Sequence, residues 1–539
     1  MRAKIRLCNL AIGPKPLGDH FNLRTKNAVL LAVFFQQLVV PFMMSGIAVA
    51  IPSIGRDFGA GGTMLALLES SYIAAVAAFL LPFGRLSDMV GRGGIFVYGQ
   101  VLFILATIAL GLAANTPWFI VFRILQGIGG AMFVSTGLAL LTEVFPVHER
   151  GRAFGIAIAA VYLGLSMGPT LCGMITTHWG WRFVFFLGVP ACLVSLIVSF
   201  AAVDRRLHKS PGSAFDWQGT LLSAAGIGLF VTGGSYFAVP LGKAALALCL
   251  IFFIAFIVRQ YQTSAPLVDI RHLLGNRAYL GSSLSLYINY AAIFGITFLI
   301  SVFLQNVYLM TALQAGLVIM IQALVQSVTS PLAGKMADRW PAYRIAALGA
   351  GMCAIGMFVL TLVVGQGAKQ DLCPIILAMV IEGAGVAVFA ASNTKCMMNS
   401  VSQDLSGEAG AMNSLMRASG MMSSMVLITV VLGIYMGHDV EITPATSGAY
   451  TQAMQIVLAI FTCLCLLATL AAAQSKDKHT TAADVAGMFL KCRKREHLKG
   501  LFGKKRPSPV HEQDNRDPAG GAWGLAGPGV RNLYPWPRP

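Results

Sequence analysis

Pro82-Phe-Gly84-Arg85-Leu-Ser-Asp88-Met-Val-Gly91-Arg92 closes one long apolar stretch, and Pro331-Leu-Ala-Gly334-Lys335-Met-Ala-Asp338-Arg339 closes another much later in the chain. Each is a proline, then a glycine followed at once by a cation, then an acid four residues after that glycine. The flanking segments are too apolar for a soluble fold, so the repeat marks a duplicated membrane protein.

Composition agrees. Apolar residues make up 56% of the 539 positions and charged ones 11%, whereas soluble domains carry roughly 25% charged residues. Apolar runs of about 18 to 25 residues recur, each long enough to cross a hydrocarbon core as a helix. Lipid leaves backbone groups no partners but their own segment, and runs this long and non-alternating exclude a β-barrel. The pattern predicts fourteen spans near residues 27–52, 63–83, 94–114, 117–142, 153–177, 183–203, 215–235, 243–262, 278–304, 311–333, 343–365, 374–396, 410–435 and 452–474. The polar lead of 26 residues precedes a span too long for a signal h-region, so the first span is expected to stay as a helix.

An even number of spans puts both termini on one side. One set of loops holds Arg85, Arg92, Arg150, Arg152, Arg205, Arg206, Lys209, Arg259, Arg271, Arg277, Lys335, Arg339 and Arg344; the other holds Arg56, Arg182, Lys243 and Lys369. The positive-inside rule places the first set, and both termini, in the cytoplasm of a multi-pass protein of the plasma or inner membrane. The formal charge of +17 is then topology and attraction to anionic lipid headgroups, and calls for no nucleic acid. The ten cysteines are scattered, mostly within spans; none suggests a metal site or a disulfide framework.

The spans group as six, two and six. Residues 1–26 form a cytoplasmic lead, 27–203 a first six-helix bundle, 204–277 an inserted helix pair with its linkers, 278–474 a second six-helix bundle, and 475–539 a basic tail. The fold class is thus all-α, two pseudo-symmetric six-helix bundles plus two inserted helices. Both copies of the opening motif then follow the second helix of their bundle. In the tail, 484–502 reads either as a short helix on the inner leaflet or as a solvated basic segment, and the Pro/Gly-rich end beyond Arg506 as disordered.

Further motifs fall at matching spans: Arg123-Ile-Leu-Gln-Gly127 in span 4; Gly164-Leu-Ser-Met-Gly168-Pro169-Thr-Leu-Cys-Gly173 in span 5; Trp179-Gly-Trp181-Arg182-Phe; Phe215-Asp216-Trp217-Gln-Gly219; and Gly407-Glu408-Ala-Gly-Ala-Met-Asn413. With the first repeat, these make residues 27–474 resemble the fourteen-helix drug:proton antiporter branch of the major facilitator superfamily. The resemblance implies that the Gly84–Arg92 loop latches the halves in an outward-facing state, with Asp88 accepting from a facing helix N-terminus and Glu143, Arg150 and Arg152 in the accompanying charge network. Gly84 and Gly91 are read as permitting a tight turn. The first copy of the motif is the fuller, so it is expected to carry conformational control, while Gly334, Lys335, Asp338 and Arg339 preserve the pseudo-symmetry. Gly164, Gly168, Pro169 and Gly173 form the pattern that the family associates with antiport; Cys172 stands where glycine is usual.

Ionisable side chains inside spans cost several kcal/mol unless paired or hydrated, which makes each a functional candidate. These are Glu69 in span 2, Arg123 in span 4 and Glu382 in span 12, with Lys395 and Arg417 nearer the cytoplasm. The family links a basic residue at the place of Arg123 to proton movement, and span 12 corresponds to a cavity-lining helix, so Glu382 is expected to face substrate or water. The branch usually carries an Asp in span 1, ahead of an Ala-Leu-Pro; here Ala50-Ile-Pro52 matches and the acid's place holds Met43. Glu69, well inside span 2, is the candidate replacement. Gln36, Gln37, Asn289, Gln322, Gln326 and Asn393 are further polar candidates.

The expectation is a secondary transporter, proton-coupled and exporting amphipathic organic compounds by alternating access, with a small molecule, protons and the bilayer as partners and no cofactor. A facilitator or importer of one metabolite and a non-transporting sensor are the alternatives. No phosphate-binding Gly-Lys-Ser/Thr loop and no nucleophile–base pair or metal cluster points to an enzyme. A monomer suffices; neither substrate nor oligomeric state is fixed by the sequence.

Overall fold

The computed structural model describes residues 23–203, 215–263, 266–268, 270, 275–365, 372–401, 406–437, 440–443 and 445–475. Residues 1–22 of the expected lead, the whole of the linker 204–214, part of the linker 263–277 and the tail beyond Ser475 with its 484–502 segment lie outside these residues, as does the side chain of Glu408. Every membrane span is helical, as hydrogen-bond closure in lipid requires.

The first six helices are α1 (Leu23–Phe58), α2 (Gly62–Val90), α3 (Arg92–Gly111), α4 (Thr116–Val144), α5 (Val147–His178) and α6 (Arg182–Ala202). An inserted pair follows, α7 (Trp217–Ser235) and α8 (Pro240–Gln262). The second set is α9 (Arg277–Ile293) continued by α10 (Ile296–Asn306), then α11 (Ala312–Arg339), α12 (Ala342–Gly365), α13 (Cys373–Asn399), α14 (Ser406–Tyr435) and α15 (Ser447–Gln474). Among the described residues, 13 helices are long and apolar enough to cross a membrane, with α9 and α10 together making one span. The fourteenth expected span is the 19-residue α7, which is not among those 13. Its glycines, serines and threonines lower its apolar content and fit close packing against neighbours.

Local chemistry sets several helix starts. Asn115 accepts from Trp118 N ahead of α4, Asn276 caps α9, and Thr311 with Gln314 forms a capping box on α11. Asp216 does more. It caps α7 at Gly219 N (3.0 Å) and binds Arg259 Nε (3.2 Å) and Gln260 Nε2 (2.9 Å) at the end of α8. Gln260 Oε1 in turn accepts from Leu267 N and Val268 N, which ties the chain leaving the pair back to it. The Asp216–Gly219 motif is therefore the knot that closes the inserted pair.

Within the first half, α1 packs on α5 and α6, and α4 on α2 and α3; within the second, α12 packs on α13 and α15, α11 on α13, and α9 on α14 and α15. Between halves, the second helix of each meets the fifth of the other: α2 on α14, and α5 on α11. That reciprocal exchange is what a pseudo-two-fold axis between duplicated halves produces. α7 lies against both α2 and α14, while α8 leaves Leu241, Leu250, Ile251 and Ile254 exposed for lipid.

Candidate functional site: buried ionisable residues in each half

The two copies of the opening motif sit at one end of the bundle; the halves meet toward that end at Tyr162 Oη, which donates to Ser330 Oγ (2.8 Å), and again at the other end. At that far end, Gln305 Nε2 of α10 donates to Val49 O of α1 (2.9 Å), Leu313 N of α11 to Thr177 Oγ1 of α5 (3.2 Å), and Gly62 N to Val440 O (3.1 Å). Trp181 Nε1 and Arg182 Nη1 both bind Asp57 Oδ2, at 3.1 and 2.7 Å, which pins the α5–α6 turn to the end of α1.

The span-5 motif serves both neighbours of α5. A Cβ on Gly164 would lie 2.2 Å from Leu38 O of α1, and one on Gly173 2.5 Å from Ala312 O of α11. Only hydrogen fits between these backbones, so the pattern is the surface on which α5 seats α1 on one side and the opposite half on the other. Cys172, the departure noted above, packs against Gly46 of α1. Met43, at the place of the usual acid, lies against Gly188 of α6.

Glu69 and Arg123 come together. Arg123 Nη2 stands 4.0 Å from Glu69 Oε2, with side-chain exposures of 2% and 3%. Arg123 Nε donates to Leu68 O (3.2 Å), Nη1 donates to Gln126 Oε1 (3.1 Å), and Gln126 Nε2 donates to Thr107 Oγ1 (2.8 Å). The guanidinium also stands 5.0 Å over the Tyr72 ring. Each neighbour stabilises the cation, so a charge that lipid would expel is held by α2, α3 and α4 together.

Glu382 is elsewhere, inside the second half, and 1% exposed. It faces α11 and α12 at their packing surface: Gln322 Nε2 donates to Oε2, while Oε1 has no hydrogen-bond partner among the described residues. Gly356 of α12 passes so close that its Cβ would lie 2.9 Å from Glu382 Cβ.

A second repeat in the sequence relates these places. Gln126-Gly127-Ile-Gly129 in α4 matches Glu382-Gly383-Ala-Gly385 in α13. A Cβ on Gly127 would lie 2.5 Å from Tyr72 O and one on Gly383 2.7 Å from Gln322 O, each on the second helix of its half. Gly129 and Gly385 would meet Phe103 N and Cys353 N, both at 2.7 Å, on the third helix. The duplication therefore reaches the core of each half, with Glu382 at the counterpart of Gln126. Gln126 stands within the span-4 motif, whereas Tyr72 and Thr107 carry no mark in the sequence; packing alone brings them to Arg123 and Gln126.

The motif loops form charge networks within their own halves. Arg92 Nε binds Asp88 Oδ1 (2.8 Å) and its Nη1 binds Glu143 Oε1 (2.6 Å). Arg150 donates to Thr142 O (2.6 Å) and Phe145 O (3.0 Å), Arg85 is half-buried, and Arg152 is exposed. Gly84 lies within α2, not in the turn as its glycine suggested; the turn is Gly91 alone, at φ +125°. In the second copy, Asp338 Oδ1 pairs with Lys395 Nζ of α13 at 2.5 Å, while Lys335 and Arg339 are exposed and Gly334 stays in α11. Asp88→Asn is expected to slow transport while leaving the amount of folded protein unchanged; reconstituted protein transporting at the wild-type rate would reject a latch at Asp88.

Of the other polar candidates, Asn393 Nδ2 donates to Ser282 O (3.0 Å). Gln36 is buried beside Gly137, and Gln37 and Gln326 are half-buried.

The family model "Major Facilitator Superfamily" matches residues 33–425. The multidrug resistance protein Stp of Mycobacterium tuberculosis is 28% identical over 423 residues, covering 76% of this chain and 75% of its own length. The tetracenomycin C resistance and export protein of Streptomyces glaucescens is 27% identical over 428 residues, covering 76% of each. Among solved structures, a bacterial homologue of the human lysosomal transporter Spinster, in an inward-facing and occupied conformation, superposes with a TM-score of 0.63 at 16% identity, over 84% of this chain and 97% of that one. Matched along most of its length and folded as two duplicated helical halves, the chain belongs to the major facilitator superfamily.

Proposed function

We propose that this transporter is a proton-coupled exporter of amphipathic organic compounds, drugs among them, that works by alternating access between residues 27–203 and 278–474, with 204–277 as an inserted pair. The basic loops put the motif end and both termini in the cytoplasm of the cell membrane, with residues 475–539 as a cytoplasmic tail. The far end is then extracellular, and the halves also meet nearer the motif end, where Tyr162 Oη of α5 donates to Ser330 Oγ of α11 at 2.8 Å. Asp88, bound to Arg92 of its own half, is the group through which the proposed latch would act.

The observation that carries the coupling is Glu382. Glu382 is buried with Gln322 as its hydrogen-bond donor, and a buried carboxylate without a cation is costly, so a change in its charge calls for a change in its surroundings. Glu69, partnered by Arg123, is the second proton-linked acid. Export is supported by the antiporter pattern seated between α1 and α11 and by the relatives, one named a multidrug resistance protein and the other a tetracenomycin C resistance and export protein.

The test is purified protein in liposomes with an imposed pH gradient, assayed with cationic dyes and small metabolites. Glu69→Gln and Glu382→Gln should each weaken gradient-driven movement by at least about tenfold, the equivalent of some 1.4 kcal/mol. Wild-type coupling in both would sink the assignment. Met43 in the usual acid's place favours a second reading, a facilitator, which flux indifferent to the gradient would support.

A further inference from the structure

α11 is gripped on opposite faces. Toward α5 of the other half it presents Ala312, Gly316 and Met320, at one-turn spacing. Ala312 O and Gly316 touch the backbone at Gly173 and Pro169, and Met320 Sδ accepts from Thr170 Oγ1 at 3.1 Å. Toward α13 it presents Gln322, which donates to Glu382. Two residues along an α-helix turn through about 200°, so Met320 and Gln322 point in opposite directions. A single helix therefore separates the buried carboxyl of one half from the antiporter pattern of the other.

The surroundings of Glu382 leave the carboxyl little else to respond to. The ionisable groups facing it are thiols, Cys353 of α12 and Cys465 of α15. α11 offers the Gln322 amide, Asn289 of α9 stands beside Cys353, and no charged group of α14 is among the neighbours of Glu382 in the described residues. When the proton leaves, an anion remains whose neighbouring donor is the Gln322 amide, and a charge-assisted hydrogen bond is roughly twice as strong as a neutral one. Relief beyond that bond requires water or a cation, hence a shift of α11 relative to α13. Any such shift moves the opposite face of α11, where backbone contact with α5 leaves no slack.

We propose that Gln322 is the positioning residue that transmits the protonation of Glu382 across α11 to the α5–α11 seam, so that the bound proton holds the extracellular end closed and its loss releases it. This rests on the proton-coupled reading above.

Hydrogen–deuterium exchange of the full-length protein in nanodiscs, corrected for the intrinsic effect of pH, tests it on segments 169–178 and 311–320. Wild type should show both segments at least about fivefold less protected at alkaline than at acid pH, the low end of allosteric coupling. Glu382→Gln should stay protected at both. Gln322→Leu should lose the pH response, and the same leucine in the Glu382→Gln background, where no acid loses its donor, checks that it is tolerated. A wild-type response in Gln322→Leu, or none in wild type, overturns the proposal. The two ideas fail separately: normal gradient-driven dye efflux by Glu382→Gln defeats proton coupling at this acid, whereas lost efflux with an intact seam response in Gln322→Leu defeats only the transmission.

Discussion

Arg123→Leu is expected to destabilise the protein by about 3–5 kcal/mol, the usual cost of removing one partner of a buried ion pair. The guanidinium is the cation facing Glu69, which at 3% side-chain exposure cannot turn to water without α2 leaving α4. Gln126 loses a donor at the same time, although its bond to Thr107 remains. The loss is chiefly a stranded acid, so Glu69→Gln added to Arg123→Leu should recover at least half of it. Apparent melting temperatures of the two single variants and the double in detergent form the cycle that measures this coupling. Strictly additive shifts would mean that the two groups, 4.0 Å apart, do not support each other.

Gly316→Ala is expected to fold and yet to lose transport by at least about tenfold, corresponding to some 1.4 kcal/mol against the closed state. Alanine is the better helix former by about 1 kcal/mol, so α11 itself is not weakened. The new Cβ would lie 2.3 Å from Pro169 O and 2.8 Å from its carbonyl carbon. Backbone cannot swing aside as a side chain can, so the seam between halves must part. A cysteine introduced at Thr170 should then react faster with a membrane-impermeant thiol reagent added from outside. Full dye transport by Gly316→Ala, with Thr170→Cys as slow to react as in the parent, would show that this contact does not close the extracellular end.

Much of the fold was legible in the chain. The repeat at Gly84 and Gly334 gave the duplication, apolar runs gave the helices, and the scarcity of charge in those runs singled out Glu69, Arg123 and Glu382. The least apolar expected span, α7, was the one whose standing changed, because its glycines and hydroxyls serve close packing as well as they break an apolar run. Gly84 misled for a related reason: a glycine beside a cation reads as a turn, but here the helix runs on to Val90 and the positive φ falls to Gly91.

What a sequence of this kind determines by itself is which segments enter lipid, because backbone hydrogen bonding leaves them no other structure, and which side chains cannot be there without a reason. It does not determine the face each helix presents. Lipid tails are as apolar as a helix interface, so the pattern that orients an amphipathic helix in a soluble protein is missing. Only the tertiary packing decided that Glu69 meets Arg123, that Glu382 points inward to Gln322 instead of standing with them, and that α11 carries Gln322 on one face and the antiport seam on the other. Those choices rest on where glycines let backbones touch, a property of pairs of helices that no single segment records.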